Sequence, residues 1–209
     1  MLNIALPKGR LGSTVYAIFA AAGYPALGMP ETDRKLVYEN AECGVKYFLV
    51  KPSDVATYVE RGAADVGVAG SDVLFEQGSA VYELMDLGVG RCRVAVAAKN
   101  GFADDPSAPL RVATKYVNTA RDYYKKLNRE IELIELHGSI ELAPILGLSD
   151  VIVDIVETGG TLKENDLSIV RVIREVSARL IANKTSYRFK QGEIAALVKN
   201  LESRGGEGK

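Results

Sequence analysis

The sequence predicts an α/β protein composed of two similar α/β lobes that face each other across a cleft. Strand-like runs alternate with helix-like runs along the 209 residues, an order that favours a mainly parallel sheet. A unit of helix, Gly-x-x-Asp-Val, strand, Gly and helix occurs twice, at 52–74 and at 139–162. A chain of this length suits one domain or two small lobes. Independent recurrence of glycine caps and apolar strands, which any α/β fold contains, is the alternative explanation of the repeat.

In the first half of the chain, each of three short apolar runs is followed by a helix-like run. Buried strands are short and bounded by Gly or Pro, whereas helices place apolar residues three or four apart. The predicted strands are 2–6, 45–51 and 65–70. The predicted helices are 11–23, 52–61 and one that begins near Ser71 and Asp72, both good N-caps.

The second half continues the alternation and closes on a helix. The predicted strands are 92–99, 110–114, 130–136 and 150–156, and a long apolar run covers 168–181. The predicted helices are 117–128, 139–146 and 187–203. We expect residues 1–90 and 180–209 to form lobe I and residues 91–179 to form lobe II.

Composition argues against several classes of protein. The 26 Lys and Arg residues nearly balance 27 Asp and Glu residues, and this net charge of −1 argues against nucleic acid as a partner. No apolar run approaches the roughly 20 residues that cross a bilayer, and the N-terminus lacks a signal-peptide pattern, so we expect a cytoplasmic protein that does not bind membranes. Two cysteines and one histidine cannot form a usual zinc site, and no dedicated metal site is expected. That histidine, His137, is expected to be structural rather than catalytic.

The segment VIVDIVETGGTL, residues 151–162, has the composition of a phosphate-binding loop. Glycines let backbone N–H groups approach an anion, threonines add hydroxyl donors, and the helix that follows contributes its positive N-terminus. Carboxylates beside such a loop suit the hydroxyls of a ribose. A glycine-rich turn without a ligand is the alternative. The candidate residues are Asp154, Glu157, Thr158, Gly159, Gly160, Thr161 and Leu162.

Cations and polar turns recur at the ends of other predicted strands. In PKGRL, Lys8 and Arg10 flank Gly9 at the carboxyl end of the first strand, the edge at which α/β sheets bind ligands. A solvated basic turn is the alternative here. Further candidates at strand ends or helix starts are Lys51, Ser71, Asp72, Arg111, Lys115 and Glu141, with Tyr116 available for stacking. Together they predict a cleft that binds a small molecule carrying several phosphates.

Five segments in this order resemble the ATP phosphoribosyltransferase family, the first enzyme of histidine biosynthesis. They are LPKGRL, KPSDVATYVERGAADVGVAGSDVL, RVATKYVNTA, GSIELAPILGLSDVIVDIVETGGTLKEN and NKTSYR, and they run from Leu6 to about Arg188. The length resembles the short form of the family, which has no C-terminal regulatory domain. Val117 stands where the family pattern has Pro, a departure that concerns the turn more than the chemistry.

The resemblance implies that N1 of the ATP adenine is joined to C1 of 5-phosphoribosyl 1-pyrophosphate, with release of pyrophosphate. It implies catalytic roles for Lys8, Arg10 and Lys51 near the pyrophosphate. Gly9, Asp154 and the loop from Glu157 to Leu162 would bind phosphoribosyl pyrophosphate. Arg34, Ser71, Asp72, Lys115 and Glu141 would lie on the ATP side.

The resemblance also implies partners and a fold. Mg²⁺ would accompany the pyrophosphate and nucleotide substrates without a protein site of its own. The partner would be a regulatory subunit similar to histidyl-tRNA synthetase in a hetero-octamer, and the isolated chain would be a homodimer. The two-lobe architecture is similar to type II periplasmic binding proteins, so a non-catalytic solute-binding protein is the alternative function. A second alternative function is that of a phosphoribosyltransferase acting on another base.

Overall fold

The computed structural model describes residues 1–26, 28–29 and 35–205. These residues form two compact units, each with its own sheet. Unit 1 comprises Met1–Leu74, Gly78–Gly90 and the chain from Ser177, and unit 2 comprises Phe75–Gln77 and Arg91–Val176. No helix of the described residues is both long and apolar enough to cross a membrane.

The strands and helices alternate through most of the chain. The strands are β1 (Leu2–Pro7), β2 (Val37–Asn40), β3 (Val45–Val50), β4 (Val66–Gly70), β5 (Tyr82–Asp86), β6 (Cys92–Lys99), β7 (Leu110–Thr114), β8 (Ile131–Glu135), β9 (Val151–Val156), β10 (Leu167–Val176) and β11 (Ala178–Ala182). The helices are α1 (Arg10–Ala21), α2 (Val55–Glu60), α3 (Ser71–Gln77), α4 (Val117–Lys126), α5 (Leu142–Ile145), α6 (Gly160–Glu164), α7 (Lys184–Phe189) and α8 (Gln191–Gly205). A 3₁₀ turn, Pro52–Asp54, precedes α2. The α/β prediction is confirmed.

The sheet of unit 1 has the strand order β2-β3-β1-β4-β11-β5. Its three central strands are parallel, since β1 pairs with both β3 and β4 in that sense. The side chains of α1 and α8 pack on one face, where Phe19, Tyr47 and Leu197 are fully buried. The other face carries α2, whose Val55 and Val59 approach Gly67 so closely that a side chain there would collide with them.

The sheet of unit 2 has the order β10-β6-β9-β7-β8. Its parallel part is β8, β7 and β9, and β6 and β10 complete it in antiparallel register. Apolar side chains of α4, including Ala120 and Tyr124, bury one face. Ile140, Ala143 and Leu162, from the segments around α5 and α6, bury the other.

The sequence repeat corresponds to the same local structure in both units. In unit 1 it runs through α2, Gly62, β4 and α3, and in unit 2 through α5, Gly147, β9 and α6. Both glycines have positive φ, 76° and 73°, which side chains rarely adopt and which ends each helix. The two units are therefore built on one repeated arrangement.

Several sequence expectations are corrected by the structure. Both sheets are mixed rather than mainly parallel. The run 168–181 is two strands, and the predicted last helix is two helices separated at Lys190. The predicted helix 139–146 is the shorter helix α5, which begins only at Leu142, because Ser139 has a positive φ of 48° that is not helical. Two short strands, β2 and β5, had no prediction, since neither alternates apolar and polar residues.

Candidate active site

The basic candidates of unit 1 lie together at the carboxyl edge of its parallel strands. The Lys8 N–H donates to the Val50 carbonyl at 2.8 Å, so the chain after β1 stays paired with the end of β3. Lys51 follows Val50 directly and its side chain is exposed, as are those of Lys8 and Arg10. This edge is where parallel α/β sheets bind ligands. The three cations are thus brought to one edge, as the sequence predicts.

Two glycines shape the basic turn. Gly9 has a φ of 90° and immediately precedes α1, a conformation that favours glycine. A Cβ at Gly12 would overlap the carbonyl oxygen of Pro7, so glycine is needed where the first turn of α1 crosses the end of β1. The close approach holds Arg10 beside the strand end, within a turn whose residues Lys8, Gly9 and Arg10 are exposed.

Ser71 and Asp72 open α3 at the end of the third parallel strand, β4. The Ser71 N–H donates to the Ser177 carbonyl at 3.0 Å, and the Ser71 Oγ accepts from the Ser177 N–H at 3.3 Å. Asp72 is buried, and its carboxylate occupies the space that a Cβ on Gly70 would need. Both residues belong to the predicted edge, but their side chains also fix the start of α3.

The predicted phosphate loop follows β9 in unit 2 and presents polar groups to solvent. Glu157, Thr158, Gly160 and Thr161 are exposed. Gly159 is left-handed (φ 80°, ψ 6°), which turns the strand into α6. The first N–H groups of a helix have no partner within the helix and can bind an anion.

Leu162 has a different place from its neighbours in the loop. Its side chain is 6% exposed and packs with Ile140 and Val156. It can therefore contribute its backbone N–H to a ligand, while its side chain anchors α6 to the sheet. The side chains of Thr158 and Thr161 are exposed, so their hydroxyls can contact a ligand.

Three candidates from separate segments of unit 2 meet around Asp154. Lys115 Nζ lies 3.6 Å from Asp154 Oδ1, an ion-pair distance longer than a hydrogen bond. That oxygen is buried and has no hydrogen-bond partner in the part of the chain that the structure describes. Burial raises the pKa of Asp154 above its ordinary value, Lys115 opposes the rise, and the charge of Glu141 adds to it. Asp154 is thus a carboxylate with unused acceptor capacity, as a ribose site requires.

Thr114 supports this group and was not singled out in the sequence. Its hydroxyl donates to the Val153 carbonyl at 2.6 Å and accepts from the Tyr116 N–H at 2.8 Å. It therefore braces the backbone on both sides of Lys115. A threonine within a buried strand has no distinguishing pattern, so sequence reasoning alone could not find it.

Tyr116 and Arg111 have contacts that the sequence does not predict, and two further named residues are His137 and Arg34. Tyr116 is 5% exposed and belongs to the core of unit 2, so its ring is not available for stacking on a base. The Arg111 guanidinium is paired with Asp150, Nη2 to Oδ1 at 2.6 Å, and also donates to the Gly147 carbonyl. His137 is exposed after β8. Arg34 lies outside the described residues.

The acidic residues that the structure describes do not form a metal cluster. Among residues 1–26, 28–29 and 35–205, no group of three His, Cys, Asp or Glu side chains could hold a metal ion. The donor set near the loop, threonine hydroxyls and N–H groups with one paired carboxylate, suits a phosphorylated ribose better than a bare cation.

Fold comparisons place the chain in a class. It is similar to the substrate-binding protein of an amino acid ABC transporter, with a TM-score of 0.62 and 15% identity over 99% of this chain and 94% of that one. It is also similar to the GluR0 ligand-binding core from Nostoc punctiforme, with a TM-score of 0.60 and 14% identity over 100% and 94% of the two chains. The two α/β units therefore have the type II periplasmic-binding-protein-like fold.

Sequence comparisons identify the family within that class. The HisG family model, ATP phosphoribosyltransferase, matches residues 51–203. An ATP phosphoribosyltransferase from Brachyspira hyodysenteriae is 55% identical over 97% of this chain and 98% of its own, and one from Clostridioides difficile is 50% identical over 96% and 97%. A Thermotoga maritima ATP phosphoribosyl transferase (HisG:HisZ) complex has a TM-score of 0.86 and 35% identity over 99% of this chain and 100% of that one.

The chain belongs to the ATP phosphoribosyltransferase family. Its function is that of a pentosyltransferase, the joining of ATP to 5-phosphoribosyl 1-pyrophosphate in the first step of histidine biosynthesis. This function is favoured over the solute-binding alternative, which shares only the fold.

Proposed function

We propose that the loop after β9 binds the phosphoribosyl group and that the basic residues after β1 and β3 bind the pyrophosphate. Glu157, Thr158, Gly159, Gly160, Thr161 and Leu162 would bind the 5-phosphate, and Asp154 the ribose hydroxyls. Lys8, Gly9, Arg10 and Lys51 would bind the leaving group. The observation that carries this assignment is the exposed Gly-Thr loop beside Asp154, a half-buried carboxylate whose Oδ1 accepts no hydrogen bond from the described residues and faces Lys115 at ion-pair distance.

The chemistry asks for alignment and charge stabilisation rather than a base. Adenine N1 carries its own lone pair, which attacks C1 of the ribose. The bond from C1 to the pyrophosphate oxygen breaks, and its electron pair leaves with the pyrophosphate. Holding two bound reactants in line can contribute up to about 7–11 kcal/mol. Lys8, Arg10 and Lys51 would stabilise the charge that develops on the departing oxygen.

The residues that we propose bind ATP are Arg34, Ser71, Asp72, Lys115 and Glu141. Ser71 and Asp72 support this by lying at the end of β4, in line with Lys8 and Lys51 along the same edge. Lys115 and Glu141 act on Asp154 electrostatically, so we assign them to the junction of the nucleotide and the ribose.

A metal ion accompanies the nucleotide substrates in this family. We propose that it is Mg²⁺, that it arrives on the phosphates of the substrates and that the protein supplies no dedicated ligand. When bound there, it neutralises phosphate charge and makes the pyrophosphate a better leaving group.

We further propose a cytoplasmic enzyme that works with a regulatory subunit similar to histidyl-tRNA synthetase. The similar Thermotoga maritima protein is a HisG:HisZ complex, which supports such a partner. The proposed assembly is a hetero-octamer, with a homodimer formed by the chain alone. Histidine should then inhibit the complex and leave the isolated chain uninhibited. Strong inhibition of the purified chain by histidine would contradict this proposal.

The test is an assay of the purified chain with ATP, Mg²⁺ and phosphoribosyl pyrophosphate. Pyrophosphate release should accompany the ultraviolet change of an N1-substituted adenine, and replacing ATP by other bases should abolish both. Arg10→Ala and Thr161→Ala should impair turnover, while Thr57→Ala, an exposed threonine on α2, should not. Ligand binding without pyrophosphate release would instead favour the solute-binding alternative.

A further inference from the structure

The side chain of Glu76 caps a helix other than its own. Its Oε1 accepts from the Asn118 N–H at 2.8 Å, and its Oε2 accepts from the Thr119 N–H at 2.9 Å and the Thr119 Oγ1 at 2.8 Å. Tyr116, the N-cap residue of α4, makes no side-chain capping bond. Glu76 thus satisfies two of the N–H groups that a helix start leaves without partners, and its charge suits the positive end of the helix.

The residues around Glu76 are anchored in unit 2 by further contacts. The Glu76 carbonyl accepts from Asn118 Nδ2 at 2.9 Å. The guanidinium of Arg174 lies over the Phe75 ring, 3.4 Å from its centroid. Because the last residues of α3 are fixed in this way, the Glu76 carboxylate is a firm support for the first turn of α4.

The supported turn carries Lys115. Thr114 holds the chain before Lys115 through the Val153 carbonyl, and Glu76 holds the chain after it through Asn118 and Thr119. Lys115 Nζ reaches Asp154 at 3.6 Å and lies 4.9 Å from the Tyr116 ring centroid. Its long side chain has many rotamers, so fixing its backbone on both sides restricts where the ammonium group can lie.

We propose that Glu76 is a positioning residue of the transferase, which holds Lys115 beside Asp154 by capping α4. The proposal rests on the proposed function of Lys115 and Asp154 and adds a residue that the strand-end motifs do not include. Glu76 itself contacts no substrate in this role. It acts through backbone N–H groups two and three residues beyond the N-cap.

The substrate-free test is the titration of the Asp154 carboxyl by ¹³C NMR. Burial and Glu141 raise the pKa of this group and Lys115 lowers it, so displacement of Lys115 should raise it further. Glu76→Ala should therefore raise the pKa of Asp154. The matched control is Glu60→Ala, which removes a carboxylate that accepts the Ala80 N–H at 2.8 Å in unit 1 and should leave this pKa unchanged.

The second readout is steady-state kinetics of the folded variants. Glu76→Ala should lower kcat by about 10- to 100-fold, since small displacements of reacting groups have effects of this size, while Glu60→Ala should not. If Glu76→Ala does not fold, Thr119→Val removes the hydroxyl partner of Glu76 and should raise the Asp154 pKa and lower kcat more weakly. Thr119→Ser keeps the hydroxyl and should restore the wild-type pKa and kcat.

The outcomes separate this proposal from the proposed function. An unchanged Asp154 pKa, or an unchanged kcat, in folded Glu76→Ala would overturn the positioning role. A wild-type chain that binds both substrates without releasing pyrophosphate would contradict the proposed function, whereas the titration would still report whether Glu76 holds Lys115.

Discussion

The Asp65 Oδ2 accepts a hydrogen bond of 2.8 Å from the backbone N–H of Asn3, and the Asp65 N–H donates to the Asn3 carbonyl, also at 2.8 Å. The same pair of bonds joins Asp150 to Arg111 in unit 2, each at 2.9 Å. These aspartates are the Asp of the repeated Gly-x-x-Asp-Val unit. Each fixes the start of one parallel strand against its neighbour, so the repeated aspartate supports the fold while the strand ends carry the chemistry.

Asp65→Asn should destabilise the protein by about 1–3 kcal/mol. The carboxylate also accepts from Lys190 Nζ at 2.7 Å and Ser186 Oγ at 2.7 Å, and an amide would leave some of these donors without an acceptor. Chemical denaturation of the two proteins at neutral pH measures the difference. Glu39→Gln, at the exposed Lys46–Glu39 pair of 3.5 Å, is the control and should change stability by less than about 1 kcal/mol.

The loss of folding stability in Asp65→Asn should depend on pH. Burial alone would raise the pKa of Asp65, but the bonds from Asn3, Lys190 and Ser186 outweigh it and lower the pKa below the ordinary 3.8. A lowered carboxyl pKa contributes stability above the unfolded value and loses it as the pH falls through the folded value. The two proteins should therefore converge in stability as the pH falls below 3.8 and through the folded pKa of Asp65. A constant difference down to acid pH would contradict the role of the charge.

The fold could be predicted where apolar periodicity and glycine stops agree. The segment around β4 shows this, because Gly62, a short apolar run and Ser71 mark its limits. The edge strands β2 and β5 could not be predicted, since they are short, lack sustained alternation and are defined by the partners they pair with. The break between α7 and α8 has no proline or glycine signal before Lys190.

The candidate site could be predicted as far as its residues lie in local motifs. Lys8 and Gly9 directly follow β1, and Thr161 lies at the start of α6 just after β9, so their place at a sheet edge follows from strand direction. The burial of Tyr116 and the pairing of Arg111 with Asp150 depend on packing that the sequence pattern does not contain. The same holds for Glu76, whose partners are about 40 residues away along the chain.

Gly12→Ala should destabilise the protein by at least about 1–3 kcal/mol, because the new methyl group would overlap the Pro7 carbonyl oxygen and force α1 away from β1. The same displacement should lower turnover, since Arg10 begins α1. Thermal denaturation and the pyrophosphate assay measure the two effects. The control is Gly192→Ala, near the start of α8, where nothing lies within 4 Å of the added Cβ and helix propensity should raise stability slightly.

Asp154→Asn should raise stability at neutral pH and lower activity. The pKa of Asp154 is raised chiefly by burial, so its ionised form costs folding free energy once the pH exceeds the unfolded value. The gain in Tm should disappear at pH values where the wild-type carboxyl is protonated in both states. Activity should fall because a charged acceptor for the ribose is lost, an effect of about 1.5–3 kcal/mol on transition-state binding.

Asp150→Asn is the matched control for Asp154→Asn, since both residues belong to the β9 segment. Hydrogen bonds from Arg111 hold the pKa of Asp150 below its ordinary value, so removing its charge should lower Tm rather than raise it. Opposite signs of the two Tm shifts at pH 7 are expected. A stabilising Asp150→Asn or a destabilising Asp154→Asn would contradict the electrostatic account.

Thr161→Ala should weaken binding of phosphoribosyl pyrophosphate by about 1.5–3 kcal/mol, because one donor to a dianion is lost. Its side chain is exposed in α6, so the substitution should leave Tm nearly unchanged. Calorimetric titration with the substrate measures the affinity, and Thr57→Ala controls for loss of an exposed helical threonine. Wild-type affinity in Thr161→Ala would place the phosphate elsewhere.

Arg10→Ala should lower kcat more than it raises KM. The proposed role of Arg10 is to stabilise charge that grows on the pyrophosphate as its bond to C1 breaks, and such an interaction is stronger in the transition state than in the bound substrate. A loss of about 100-fold in kcat is expected, the size seen when one such donor is removed. Arg61→Ala, an exposed arginine after α2, should leave both constants unchanged. A raised KM with an unchanged kcat would make Arg10 a residue that binds substrate and transition state equally.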